Sequence, residues 1–307
     1  MYVRGASEGM TPTVALTRET AQNALNAACA AVGLDAAGAE LIRIGSNAVY
    51  RLSEPVIVRI ARNGESIENA RMQVQVARWL SGEGYPATRA LDVDQPVRSR
   101  GLVTTFWESA SEREEYAPLD QVAELIRRLH SLDAPSSLHL PEIRPLAKLD
   151  AQIGDLANLD RADAQFLENR ILSIRDQYER LEFDLTPGVI HGDANVGNVI
   201  LDRAGQPILI DLDSFATGPR EWDLVQTALF YERFGWHTED EYRTFVKVYG
   251  YDIMTWPGYR VLADYREVAM TLWLCGKAGT DMQAAAEVRK RVESLRSGGS
   301  RHDWAPF

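Results

Sequence analysis

No lysine precedes Lys148 in this 307-residue chain, so a permanently charged cation at a buried position in the stretch before it must be an arginine. Cysteine is scarce as well. Cys29 and Cys275 stand far apart and match no metal or redox spacing, which predicts two reduced structural thiols in a cytoplasmic protein. No apolar run approaches the roughly 20 residues of a membrane-spanning helix. Residues 1–11 hold no apolar signal-peptide core, so nothing there argues for export. Internal repeats are missing, and low complexity is confined to Ser297-Gly298-Gly299-Ser300.

What is present is unevenly charged. Residues 1–108 hold 11 basic and 11 acidic side chains; the remainder holds 22 and 33, which is the whole net charge of −11. Such a field disfavours nucleic acid and anionic membranes as partners. It suits either a cationic substrate in the C-terminal part or a merely solvated acidic surface.

Periodicity divides the chain. Residues 18–32 and 66–80 carry apolar side chains at helical spacing, and β-branched runs at 41–44, 49–52, 56–60, 90–93 and 101–106 predict strands. After Trp107 the pattern is mainly helical: 119–132, 146–159, 162–181, 221–233, 239–249, 259–276 and 282–295, with short strands at 198–201 and 207–210. The expectation is an α+β chain of two lobes. Residues 1–107 form a small β-rich N-terminal lobe with a leading helix, and residues 108–307 a larger helical one. A cleft between lobes is a favoured place for a small-molecule site.

The chemistry concentrates in His191-Gly192-Asp193-Ala194-Asn195-Val196-Gly197-Asn198 and, after a predicted hairpin, Ile210-Asp211-Leu212-Asp213. The hairpin would bring Asn198 and Asp211 near each other. Phosphoryl transfer asks little covalent work of a protein and rests on positioning and on neutralising phosphate charge. Mg²⁺ takes one or two carboxylates with amide and phosphate oxygens; Asp211 and the Asn198 side-chain oxygen suit that role. Asp193 is then free to accept the hydrogen bond of a substrate hydroxyl. His191 reads as a structural histidine, and Asp213 is open between metal-shell duty and a structural hydrogen bond.

His-Gly-Asp-x-x-x-x-Asn followed by Ile-Asp-x-Asp resembles the catalytic loop and metal-binding segment of the aminoglycoside phosphotransferase family of small-molecule kinases, within the protein-kinase-like fold. Gly218-Pro219-Arg220-Glu221-Trp222-Asp223-Leu224 is similar to a further segment of that family, where Asp223 would buttress the loop. The resemblance implies Mg²⁺, ATP or GTP as phosphoryl donor, Asp193 as base, and an acceptor hydroxyl on an aminoglycoside, another antibiotic, a sugar or an amino alcohol. Asp264 and Glu267, one turn apart on a helix of the substrate wall, would meet a protonated amine or sugar hydroxyls; a solvated face paired with Arg260 or Arg266 is the alternative. Trp236, Trp256 and Trp273 would pack in the core rather than stack on a sugar.

Carried to the N-terminal lobe, the resemblance places Ser46 and Asn47 on the nucleotide phosphates and Arg59, in lysine's place on the third strand, beside them. Adenine would meet the backbone near Thr105, Phe106 and Trp107, unless those aromatics only pack. The chain departs from the pattern at Gln73, which stands where the following helix usually offers a glutamate. That departure favours a second reading, a kinase-like protein that binds a nucleotide or metabolite without transferring phosphate.

Overall fold

The computed structural model describes residues 15–45, 47–61, 66–112 and 115–307, and by the density of their contacts they form two compact units. The first takes residues up to 114 together with Leu201–Asp213; the second takes Glu115–Ile200 and Ser214–Phe307.

In the first unit, helix α1 (Arg18–Val32) precedes strands β1 (Glu40–Ile44), β2 (Asn47–Arg51) and β3 (Val56–Ala61), helix α2 (Ile67–Gly82), and strands β4 (Val97–Ser99) and β5 (Leu102–Glu108). Thr17 starts α1 because its hydroxyl accepts the Thr20 N–H, and Gly33 stops it by adopting a left-handed φ of 76°. The sheet is antiparallel in the order β1-β2-β3-β5-β4. Strand alternation sorts its side chains. Val56, Val58, Ile60 and Phe106 pack with Leu25 and Ala28 of α1, whereas Ala61 and Val103 pack with Ala70 of α2. Arg59, whose neighbours in β3 are core residues, therefore points to the α2 side.

The expected strand at 90–93 is reduced to a single bridge, Ala90 to Trp107, and the fourth strand lies later, at Val97–Ser99. A side chain explains the shift. Gln95 accepts the Phe106 N–H at 2.7 Å and donates to the Phe106 and Leu91 carbonyls at 3.1 and 2.7 Å. One amide thus replaces a ladder rung where Asp92–Pro96 bends away from the strand.

The second unit is mainly helical: α3 (Leu119–Leu129), α4 (Pro145–Gln152), α5 (Arg161–Tyr178), α6 (Glu221–Glu232), α7 (Glu239–Tyr249), α8 (Tyr259–Ala278) and α9 (Met282–Ser297). The helix expected over 146–159 ends at Gln152 and tightens into a 3-10 turn at Ile153–Asn158. Strand β6 (Gly188–Ile190) pairs antiparallel with β9 (Ala216–Gly218); the chain between them makes the expected hairpin of β7 (Val199–Leu201) and β8 (Pro207–Leu209), which from Leu201 onward belongs to the first unit. Its turn is closed by Asp202, whose carboxylate accepts the Ala204 and Gln206 N–H groups. Helix α6 is buried from Glu221 to Phe230, so it runs through the core of this unit. Among the described residues, no helix is long and apolar enough to cross a membrane.

Phe106 is fully buried in the α1-side core. Phe106→Ala should cost about 3–5 kcal/mol, read as a lower urea midpoint at unchanged slope; a midpoint within error of the parent would contradict this packing.

Candidate active site

Strand β6 delivers the chain into a loop held by a buried carboxylate. Asp223, on the first turn of α6, is inaccessible to solvent and accepts the backbone N–H groups of His191 at 2.7 Å and Gly192 at 2.8 Å. His130 approaches the same carboxylate at 3.1 Å, its other ring nitrogen lying 2.8 Å from the Tyr249 hydroxyl. Burial alone would raise this carboxyl, but the hydrogen bond and charge of His130 and the bond from His191 outweigh it and hold it below the ordinary 3.8. Gly192 has φ 83°, and a Cβ there would lie 2.1 Å from the Ser214 carbonyl oxygen, so no other residue fits.

The turn so formed presents Asp193. Its side chain is 42% exposed, and the oxygen Oδ1 accepts from Gln226 at 2.9 Å and Arg266 at 3.3 Å. Oδ2 is approached by Nδ2 of Asn198 at 3.4 Å, and the same nitrogen donates to the Asp193 carbonyl at 2.8 Å. Asn195 donates to that carbonyl too, while its Oδ1 accepts Gly197 N–H and fixes the short turn that follows. These two contacts turn the Asn198 side-chain nitrogen toward Asp193. Burial pushes the Asp193 carboxyl up, but Arg266, His191, Lys148 and the Gln226 bond bring it below its ordinary value, so it is an anion at neutral pH.

Arg266 and Gln226 are the residues that sequence reasoning missed. Arg266 is buried; it also donates to the Gly192 carbonyl at 3.2 Å, and its guanidinium lies 4.4 Å above the Trp222 ring. Trp222 donates to the same carbonyl at 2.9 Å. The sequence offered Arg266 only as a partner for Asp264 or Glu267 on α8; its burial, which demands an acceptor, could not be read from that charged stretch.

The carboxylates expected to meet substrate are otherwise engaged. Glu267 is fully buried between Arg233 at 2.8 Å and Arg301 at 2.9 Å; Asp264 takes Arg233 at 2.7 Å and Arg170 at 3.0 Å. They do share one region of α8, joined by Arg233, but their partners are neither Arg260 nor Arg266. Trp256 is buried, as expected of a core side chain, whereas Trp273 is 41% exposed beside Lys277.

In the first unit, Asn47, Arg59, Gln73 and Thr105 line one small cavity with Ala61, Ala70 and Val103. Both guanidinium nitrogens of Arg59 meet both carboxylate oxygens of Asp213, one pair at 2.6 Å, and Arg59 lies 3.6 Å from Asp211. Asp211 has φ 61°, a left-handed conformation rare outside glycine, and its side chain is 44% exposed. Trp107 donates to the Thr105 hydroxyl at 2.8 Å, on the Arg59 side of the sheet. Phe106 differs from its expected setting: its ring belongs to the opposite core, and both its backbone groups are engaged, by Gln95 and Leu91. Ser46 lies outside the described residues.

For a divalent cation, the Asn198 amide oxygen and the Asp211 carboxylate are hard donors of the right kind. Among the described residues no group of three or more His, Cys, Asp or Glu side chains makes a cage of its own. Mg²⁺ does not require one, because it leans on substrate phosphates and water.

The model of the phosphotransferase enzyme family matches residues 40–265. Over 44 residues the chain is 48% identical to a probable ketoamine kinase of Lactiplantibacillus plantarum; that stretch is 14% of this chain and only 15% of the relative's length. Among solved structures, an amicoumacin kinase in complex with AMP-PNP, Ca²⁺ and Ami superposes with a TM-score of 0.67 at 13% identity, covering 88% of this chain and 91% of that one. The choline kinase LicA of Streptococcus pneumoniae does so with 0.60 at 16% identity, covering 88% and 97%. At such identities the likeness is one of fold.

The low carboxyl of Asp223 gives a signed pH dependence. A group whose pKa falls on folding contributes stability that is full above its unfolded value and is lost as pH drops through the folded one. Thermal melts from pH 6 to pH 3 should therefore show a fall below about pH 4 that is shallower in Asp223→Asn, which is also less stable throughout; parallel curves would refute the assignment.

Proposed function

The chain belongs to the phosphotransferase enzyme family, and on that premise we propose that it moves the γ-phosphate of ATP or GTP to a hydroxyl of a small molecule. The observation that carries the reading is Asp193, a half-exposed anion whose Oδ1 is tied by Gln226 and Arg266 while its Oδ2 has only the long 3.4 Å approach of Asn198.

In this reading the acceptor hydroxyl donates to Asp193, which orients the oxygen and takes its proton as the bond to the γ-phosphorus forms. The bond from that phosphorus to the β–γ bridging oxygen breaks, and the nucleoside diphosphate leaves. Asn198 and Asp211 would hold Mg²⁺, which supplies neutralisation of phosphate charge when bound. Arg59 would grip phosphate oxygens as lysine does elsewhere, with the fork geometry of a guanidinium. Asn47 and Ser46 lie in the segment that would cover the phosphates, and Thr105 and Trp107 flank the base.

The acceptor class follows more loosely. The similar proteins are an amicoumacin kinase, a choline kinase and a probable ketoamine kinase, so the candidates are aminoglycosides, other antibiotics, amino sugars and amino alcohols. Asp264 and Glu267 do not enter the proposal, because arginines already occupy their oxygens. The neutral Gln73 favours the second reading, binding of a nucleotide or metabolite without transfer.

A nucleotide-consumption screen over those acceptors tests the choice. One of them should stimulate turnover in the presence of Mg²⁺; bound nucleotide with no stimulation by any would favour the non-transferring reading. With the true acceptor, Asp193→Ala should lower kcat by about 10²–10⁴-fold and leave nucleotide affinity nearly unchanged. Undiminished turnover would remove Asp193 from its role. Asp211→Ala should abolish the Mg²⁺ dependence of nucleotide binding, measured by calorimetry with and without the metal.

A further inference from the structure

We propose that Asp213 is the anchor of Arg59, doing from the segment after the β7–β8 hairpin what the neutral Gln73 of α2 cannot do. The proposal rests on the reading of Arg59 as the phosphate-gripping cation.

A guanidinium that leaves the middle of a strand and keeps 19% of its side-chain surface exposed requires a counter-charge. On the α2 side of the sheet, the polar groups that line the cavity with Arg59 are Asn47, Gln73 and Thr105, all neutral. The acidic residue of the first turn of α2, Glu68, is exposed to solvent. Asp213 provides the charge, and its two oxygens face the two terminal nitrogens of Arg59 in the fork-to-fork arrangement that fixes both planes.

The two aspartates of Asp211-Leu212-Asp213 thereby acquire different duties. Asp211 approaches one nitrogen of Arg59 at 3.6 Å, a looser contact than the paired bonds of Asp213, and its side chain is 44% exposed, so it remains the candidate for the cation. Asp213 has both oxygens on the guanidinium and is a positioning residue, acting on phosphate through Arg59. The alternatives left open by spacing alone, metal shell or structural bond, resolve toward the second.

Gln73 makes the idea testable. It is 7% exposed and borders the same cavity as Arg59, and glutamate has its shape. A carboxylate moved from 213 to 73 should therefore take over the anchor.

The experiment uses the full chain with Asp213→Asn, Gln73→Glu and the double variant, and measures ADP and GDP affinity by calorimetry with and without Mg²⁺, beside melting curves. Asp213→Asn should weaken the nucleotide that the parent binds by about tenfold, to the same degree with and without the metal, at a nearly unchanged melting temperature, because a partly exposed ion pair contributes little stability. Adding Gln73→Glu should recover most of the loss. A loss seen only with Mg²⁺ would make Asp213 a metal ligand and overturn the proposal, as would unchanged affinity in Asp213→Asn or a double variant no better than the single one. If the parent binds neither ADP nor GDP, it is the nucleotide reading that fails. The anchor is then decided by the crystal structure of the double variant: Arg59 turned to Glu at position 73 supports it, and Arg59 turned elsewhere refutes it.

Discussion

The second unit is organised around one carboxylate that never meets solvent. Asp223 neutralises itself on two consecutive backbone N–H groups and a histidine, and in doing so it fixes the direction of the chain at His191 and Gly192. Removing a charge from water costs several kcal/mol unless every lone pair is used. Here the cost is offset by rigidity where rigidity matters, one residue before Asp193. Gly192 is the complement of that arrangement, since only a residue without Cβ can pass the Ser214 carbonyl at the required angle. The loop is therefore a consequence of α6 being buried all round, which puts Asp223 inside it.

Much of this was legible in sequence because it is local. Asp193 and Asn198, five residues apart, do meet, and the expected hairpin follows them. Segments with several turns of periodicity, such as α1 and α7, have the bounds that their patterns indicate. The failures are non-local. Nothing in the spacing of Asp264 and Glu267 announces arginines from positions 170, 233 and 301, so a helix face that reads as an open polar surface is a closed ionic cluster. Strands β6 and β9 are three residues each, too short for periodicity to register, and Gln95 replaces a backbone rung by a side-chain amide that no strand pattern includes.

Arginine carries the ionic architecture. Arg59, Arg233 and Arg266 each bridge two or more acceptors, which a planar, multiply donating group can do and an ammonium can do only as a point charge. The scarcity of lysine in the first half thus has a structural counterpart. The third-strand cation is also a fork, and a fork is best oriented by another fork, the Asp213 carboxylate.

Helix α8 carries opposite charges at adjacent positions, and they serve different neighbours. Arg266 reaches the loop that holds Asp193, whereas Glu267, one residue later, is half neutralised by Arg301 from the segment after α9. That segment is itself fastened by Trp304 against Phe234 and beneath the Arg291 guanidinium. Shortening the chain ahead of Arg301, or crowding it with a fusion partner, would leave a buried carboxylate short of one cation on the very helix that steadies Asp193. For anyone building expression variants, Arg301 and Trp304 are parts of the packing although the residues around them are largely exposed.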